Sequence, residues 1–387
     1  MTSRPPSARR RSVRRLIIPM LAASNIGFTS IAHAQHEGHE PQSDEQSEQA
    51  GYKAHDLLLF PSARYELRRG LESPALDDSE ATPSIDLFYS RAAERFRILG
   101  EYLLTDDEHE LERFQVGWQL SESTRIWLGR FHQSASQWNT EHHHGQFLQT
   151  AIERPAIEEF EDQGGVVPSH TTGVLLERQQ GLGSKAGLDL SISAGLTTTL
   201  TPTHLDPFDL LDPDGGHGNS LSMRIGLLPE LLGSNQFGLS YGKHQINIEP
   251  DVKLPSEWGA GTDRVELELV GLYGNWSWPK WQLTASVDRV MTAPEGGAGG
   301  PSSAFVAKYA EAEYHFDSHW IGYGRVEDTS GATTYLDLFP KFIHSRNLIG
   351  GKRLIGSKHA VTFEVASCTL ATDHYEQFAV QWSAILP

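Results

Sequence analysis

The sequence predicts an all-β protein, a transmembrane antiparallel β-barrel of about 14 strands (roughly 12–16) with long extracellular loops. Three observations predict it. Hydrophobicity alternates with a period of two in run after run of about ten residues, the length a tilted strand needs to cross a bilayer. Aromatic side chains sit at the ends of these runs, where an interfacial girdle would lie: Tyr102, Trp118, Trp276, Trp278, Trp281, Trp320 and Trp382. Short turns such as 120–124 and 227–235 alternate with longer polar connections at 132–170, 198–219, 245–262 and 291–303.

Residues 1–34 read as an export signal. Arg4, Arg9, Arg10, Arg11, Arg14 and Arg15 form a basic start, an apolar stretch runs from Leu16 to Ile31, and Ala32-His33-Ala34 is a small-residue cleavage site. Residues 35–54 are polar, rich in His and Glu and without an apolar pattern, so they are expected to be disordered. The barrel is assigned to 55–387.

Within it, Phe96, Ile98, Gly100, Tyr102 and Leu104 share one face, with Arg95, Arg97 and Glu101 on the other. Phe114, Val116, Trp118 and Leu120 alternate with Arg113, Gln115 and Gln119. Comparable runs occupy 187–197, 220–228, 236–244, 263–273, 281–290, 305–316, 320–327, 358–368 and 374–386. Polar residues on the opposite faces, among them Glu266, Glu268, Glu311, Glu313, Arg264 and Arg325, are expected to line and hydrate a lumen. A soluble β-sandwich also alternates. The export signal, the number of runs, the aromatic ends and the turn asymmetry favour the membrane barrel.

Charge narrows the partners. The chain carries −18. Loss of the six signal arginines would leave about −24. That excess argues against nucleic acid, whose phosphates need a basic face. The single cysteine, Cys368, rules out an internal disulfide framework.

Two stretches carry a family resemblance. The C-terminal run Tyr375-Glu376-Gln377-Phe378-Ala379-Val380-Gln381-Trp382-Ser383-Ala384-Ile385-Leu386-Pro387 resembles the alternating aromatic strand that ends outer-membrane barrels, although Leu386-Pro387 stands where Phe is usual. Trp127-Leu128-Gly129-Arg130-Phe131, followed by a long connection, is similar to porin-like proteins in which such a strand leads into an extended loop. The resemblance implies the cell outer membrane, with lipid and the barrel-assembly machinery as partners, and leaves a homo-oligomer open.

The connection 132–170 is the main candidate site, because long ordered connections in compact proteins are usually functional. Folded into a lumen, its Glu158, Glu159, Glu161 and Asp162 would face Arg95, Arg97, Arg113 and Arg125 on the wall. Opposed charges across a constriction select ions. His142, His143 and His144, with the tail residues His36 and His39, have donors suited to Zn²⁺ or Cu²⁺, though adjacent strand residues point to opposite faces. No cofactor is expected beyond such an ion. Gly238-Leu239-Ser240-Tyr241-Gly242 matches a hydrolase elbow but lies inside an alternating run with no helix after it. Asp209, Asp212 and Asp214 lack the spacing of a calcium loop. The expectation is therefore a non-enzymatic, porin-like channel for small solutes or ions with a cation preference. The alternative is a barrel that binds or imports transition metals through its histidines.

Overall fold

The computed structural model describes residues 54–387 apart from 73–75, 107–108, 143–144, 212, 214–215, 232 and 333. The segment read as an export signal and nearly all of the His/Glu-rich segment lie outside the described residues. In chain order the strands are β1 (Ala54–Arg69), β2 (Ser79–Ala93), β3 (Phe96–Thr105), β4 (His109–Ser121), β5 (Thr124–His132), β6 (His170–Leu182), β7 (Ala186–Leu196), β8 (Thr199–Leu200), β9 (Leu205–Asp206), β10 (Asn219–Leu228), β11 (Gln236–Ile248), β12 (Arg264–Ser277), β13 (Trp281–Glu295), β14 (Ser303–His315), β15 (Trp320–Gly331), β16 (Ser345–Ile355), β17 (His359–Thr369) and β18 (His374–Ala384). β8 and β9 are two-residue pieces of the connection 197–218. The other strands, sixteen among the described residues, run antiparallel with sequence neighbours paired. β1 pairs with both β2 and β18, so the sheet closes on itself.

The count exceeds the central expectation of about 14 and reaches the upper end of its range. Among the strands not singled out from the sequence, three carry interrupted patterns: Pro61 in β1, Pro83 in β2 and the Gly350-Gly351 pair in β16.

Burial runs inside-out. Glu66, Glu101, Arg325, Arg346 and Glu364 are buried toward the lumen, whereas Leu128, Leu272, Val326 and Ile349 are exposed on the outer wall. A water-soluble sandwich would do the reverse, because its one dry face is its core. An apolar outer belt around a polar interior is what a bilayer selects, since lipid cannot satisfy polar groups.

Trp118, Trp276, Trp278, Trp281, Trp320 and Trp382 mark one edge of the belt, at the end that holds the short turns 94–95, 122–123, 183–185, 278–280 and 356–358. There Trp281 packs against Tyr314 at 4.7 Å and Tyr314 against Phe316 at 4.9 Å. At the other end the outer wall turns polar, with the pairs Lys243–Glu266 (2.9 Å) and Lys308–Asp328 (3.0 Å).

One expectation about facing is corrected. Glu311, Glu313 and Arg325 do point inward, but Arg264, Glu266 and Glu268 lie on the outer wall. The reason is that Val265, Leu267 and Leu269 of β12 turn inward, into an apolar cluster with Val166, Val167, Trp258 and Phe339. The connections 133–169, 197–218, 249–263 and 332–344 gather at this end and supply most of that cluster. Long connections are expected near 132–170, 198–219 and 245–262, whereas 332–344 is not among those expected; the longest folds into the barrel, as one reading of 132–170 has it.

Candidate functional site

The connection 133–169 leaves β5, crosses the lumen and returns to β6. It contains two short helices, α1 (Gln137–His142) and α2 (Gly145–Leu148), and a 3₁₀ turn at Ala156–Glu158. Ser136 caps α1 by accepting from the Asn139 amide at 3.0 Å.

Wall side chains on many strands then hold the connection in place. On β10, Arg224 donates to the Thr140 hydroxyl. The Asp86 carboxylate of β2 accepts from the Gly145 amide at 3.2 Å. Lys352 of β16 donates to the carbonyls of Phe147 (2.5 Å) and Gln149 (2.6 Å). The Thr150 hydroxyl donates to Glu313 of β14 at 2.9 Å, and the Ile152 amide to Glu364 of β17 at 3.1 Å. Glu153 accepts from Arg64 of β1 (2.8 Å), Arg346 of β16 (3.2 Å) and Gln377 of β18 (2.6 Å). The Ala156 amide donates to Glu327 of β15 at 2.6 Å, and Glu327 is itself held by Arg325 at 2.8 Å and Arg346 at 2.7 Å. Such charge-assisted bonds away from bulk water strongly oppose release of any one partner.

Electrostatics within the connection follow from these partners. Burial would raise the Glu153 carboxyl, but Arg64, Arg346 and the Gln377 amide hold it down at about 2. Glu161 is likewise buried, yet His170 and Ser169 hold it at about 2. It accepts from the Ser169 amide at 2.6 Å and lies 3.0 Å from His170 Nδ1. Burial dominates at Glu158 and Glu159 and pushes both up to about 7. It also lowers Arg154 to about 10. The Arg154 guanidinium lies over the rings of Trp138 and Phe160, at 5.2 and 3.3 Å from their centroids.

The residues expected to oppose one another have these places. Glu158 accepts from the Ser136 hydroxyl at the wall of β12 and β13. Glu161 sits with His170 and Glu112, and His170 Nε2 lies 3.1 Å from Glu112. On the wall, Arg113 pairs with Glu101 at 2.5 Å. Arg125 pairs with Glu177 at 3.6 Å and lies over Trp127. Arg95 and Arg97 stand at the short-turn end of β3.

Reading from the sequence placed Arg325 on the lumen face without its tethering role and missed the tethers Arg64, Glu327, Arg346, Lys352 and Glu364. Glu327 and Glu364 belong to polar faces that alternation does reveal, whereas Arg64, Arg346 and Lys352 lie on the interrupted strands β1 and β16; the partner of each depends on how the connection folds. Of the candidate metal ligands, His142 is engaged by its own helix: its ring stacks on Trp138 at 5.1 Å and its Nδ1 lies 3.3 Å from the Trp138 carbonyl. His143, His144, His36 and His39 lie outside the described residues. Among the described residues, no group of three or more His, Cys, Asp or Glu is arranged to hold a metal ion.

No protein-family model matches the sequence, and no curated protein matches it. Solved structures do match the fold. An anion-selective porin from Comamonas acidovorans superimposes with a TM-score of 0.56 at 10% identity, over 86% of this chain and 99% of that one. OmpF of Salmonella typhi, solved in complex with daunomycin, gives 0.55 at 11% identity, over 86% and 97%. The outer-membrane channel DcaP of Acinetobacter baumannii gives 0.53 at 10% identity, over 86% and 99%. At such identities the likeness is one of architecture, and the architecture is that of the bacterial outer-membrane porins: a closed sixteen-strand antiparallel barrel.

Proposed function

We propose that this protein is an outer-membrane channel through which small hydrophilic solutes or ions pass without catalysis. One observation carries the reading. A sixteen-strand barrel is wide enough for an aqueous lumen, and here an internal connection narrows that lumen while hydrogen-bonded to β1, β2, β6, β7, β10, β11 and β14–β18. At the mouth on the β4–β6 side stand Glu110, Glu112 and Glu161, with Arg130 paired to Glu110. With the acidic balance of the chain, this favours cations at the entrance. Lipid of the outer membrane and the barrel-assembly machinery are the partners such a barrel requires, and a homo-oligomer suits the fold.

The test is conductance of purified, refolded protein in a planar bilayer under a KCl gradient. Discrete steps with a reversal potential of cation-selective sign are expected. Silence from protein shown to be folded would overturn the channel, and an anion-selective sign would overturn the cation preference.

A further inference from the structure

Low on the β3–β5 wall, near the short turns, a small basic niche faces the lumen. The register aligns Arg97 of β3 with Gly117 of β4 and Gly117 with Trp127 of β5; one step toward the turn, Gln119 of β4 lies opposite Arg125 of β5. Gly117 has no side chain, and the Trp127 indole fills that space: a Cβ at 117 would overlap the ring. The indole is fixed further by donating to Glu177 at 2.7 Å. Arg125 lies over the indole, 5.3 Å from a ring centroid, and donates to Gln119 Oε1 at 3.1 Å.

Arg97 differs from its neighbour. Its Nε is buried without a hydrogen-bond partner, and no ion pair among the described residues includes it. The two guanidinium groups repel one another. One carboxylate, Glu177, stands beside Arg125 at 3.6 Å, so the niche keeps a surplus positive charge. A buried guanidinium donor left unmade is costly, and planar donor forks match oxyanions.

We propose that Arg97 and Arg125 form a binding subsite for the oxyanion group, carboxylate or phosphate, of a solute on its way through the lumen. The role in permeation rests on the channel reading; the binding does not. A solute would pass an acidic mouth and then this basic niche.

The experiment uses the full chain, refolded in detergent, with acetate and inorganic phosphate as probes and chloride as the background anion. Binding is read as the change in tryptophan fluorescence of the wild type that Trp127→Phe abolishes. Saturable binding of acetate or phosphate is expected, weakened about tenfold or more in Arg97→Gln and in Arg125→Gln because a charge-assisted bond is lost. The control is Arg178→Gln, which removes an equal charge from the outer face of β6 at the same end and should bind as the wild type does. Unchanged affinity in Arg97→Gln, or an equal loss in Arg178→Gln, overturns the subsite. Bilayer recordings separate the two readings. Conducting protein that binds neither anion sinks the subsite alone; silent protein that binds sinks the channel alone.

Discussion

Gly145 shows how much depends on one backbone position in the lumen. Its φ is +52°, in the left-handed region, and a Cβ there would overlap the Phe60 ring while the amide is committed to Asp86. Gly145→Ala is therefore expected to cost about 1–3 kcal/mol through strain and overpacking. The loss should appear as a lower melting temperature and as faster amide exchange at 145–150; an unchanged variant would mean that this stretch is not docked against β1. At this scale the sequence is informative about facing and nearly silent about pairing. Alternation alone places Arg97 and Arg113 on the polar face of their strands. That Arg113 meets Glu101 and that Arg97 meets no carboxylate among the described residues follows from the register of β3 against β4, which no local pattern encodes.

For the connection 133–169 as an element, charge makes docking depend on pH in two opposing ways. Glu153 and Glu161 have folded values near 2 against 4.5 for a free carboxyl. Between those values the unfolded chain binds more protons, so docking strengthens as pH rises toward 4.5. Glu158 and Glu159, near 7, reverse the sign. From 4.5 to 7 the docked form holds the extra protons, so docking weakens as pH rises. Protection of 133–169 against amide exchange, corrected for intrinsic rates, should thus peak near pH 4.5 to 5 and be lower at pH 8. Glu158→Gln should flatten the upper limb. A profile that climbs steadily to pH 8 would show that the burial of these two carboxyls does not control docking. The elements themselves were unevenly legible. Runs such as β4, β10 and β18 alternate cleanly and read directly as strands. In β12 the period was plain but its direction was not, because whether Val265 or Glu266 faces outward depends on the cluster that other connections build inside the mouth.

The inside-out burial of the whole barrel makes the bilayer, rather than water, the solvent that holds it together, and this separates two classes of substitution. Leu272→Arg places a charge on the outer belt and should cost about 2–4 kcal/mol near the bilayer midplane, while Glu266→Arg, beyond the belt, should cost roughly 0–1 kcal/mol. Equal effects in vesicle-folded protein would mean that the belt is misplaced. The same architecture bears on the lumen. Closure rests on β1 pairing with both β2 and β18, and neither ladder uses the connection 133–169. Replacing residues 137–166 by a short Gly/Ser linker should therefore leave a closed barrel. The linker can close the gap cheaply, since loop entropy grows only as the logarithm of length. Arg325, Arg346, Glu327 and Glu364 would lose buried partners but regain water, which removes the penalty of leaving a charge unpaired in a dry site. If the connection is what narrows the route, single-channel conductance should rise several-fold and discrimination among larger solutes should fall, because both follow pore diameter and lining. An intact barrel with unchanged conductance would place the narrowest point elsewhere, on the barrel wall itself, and would move the search for selectivity from the connection to that wall.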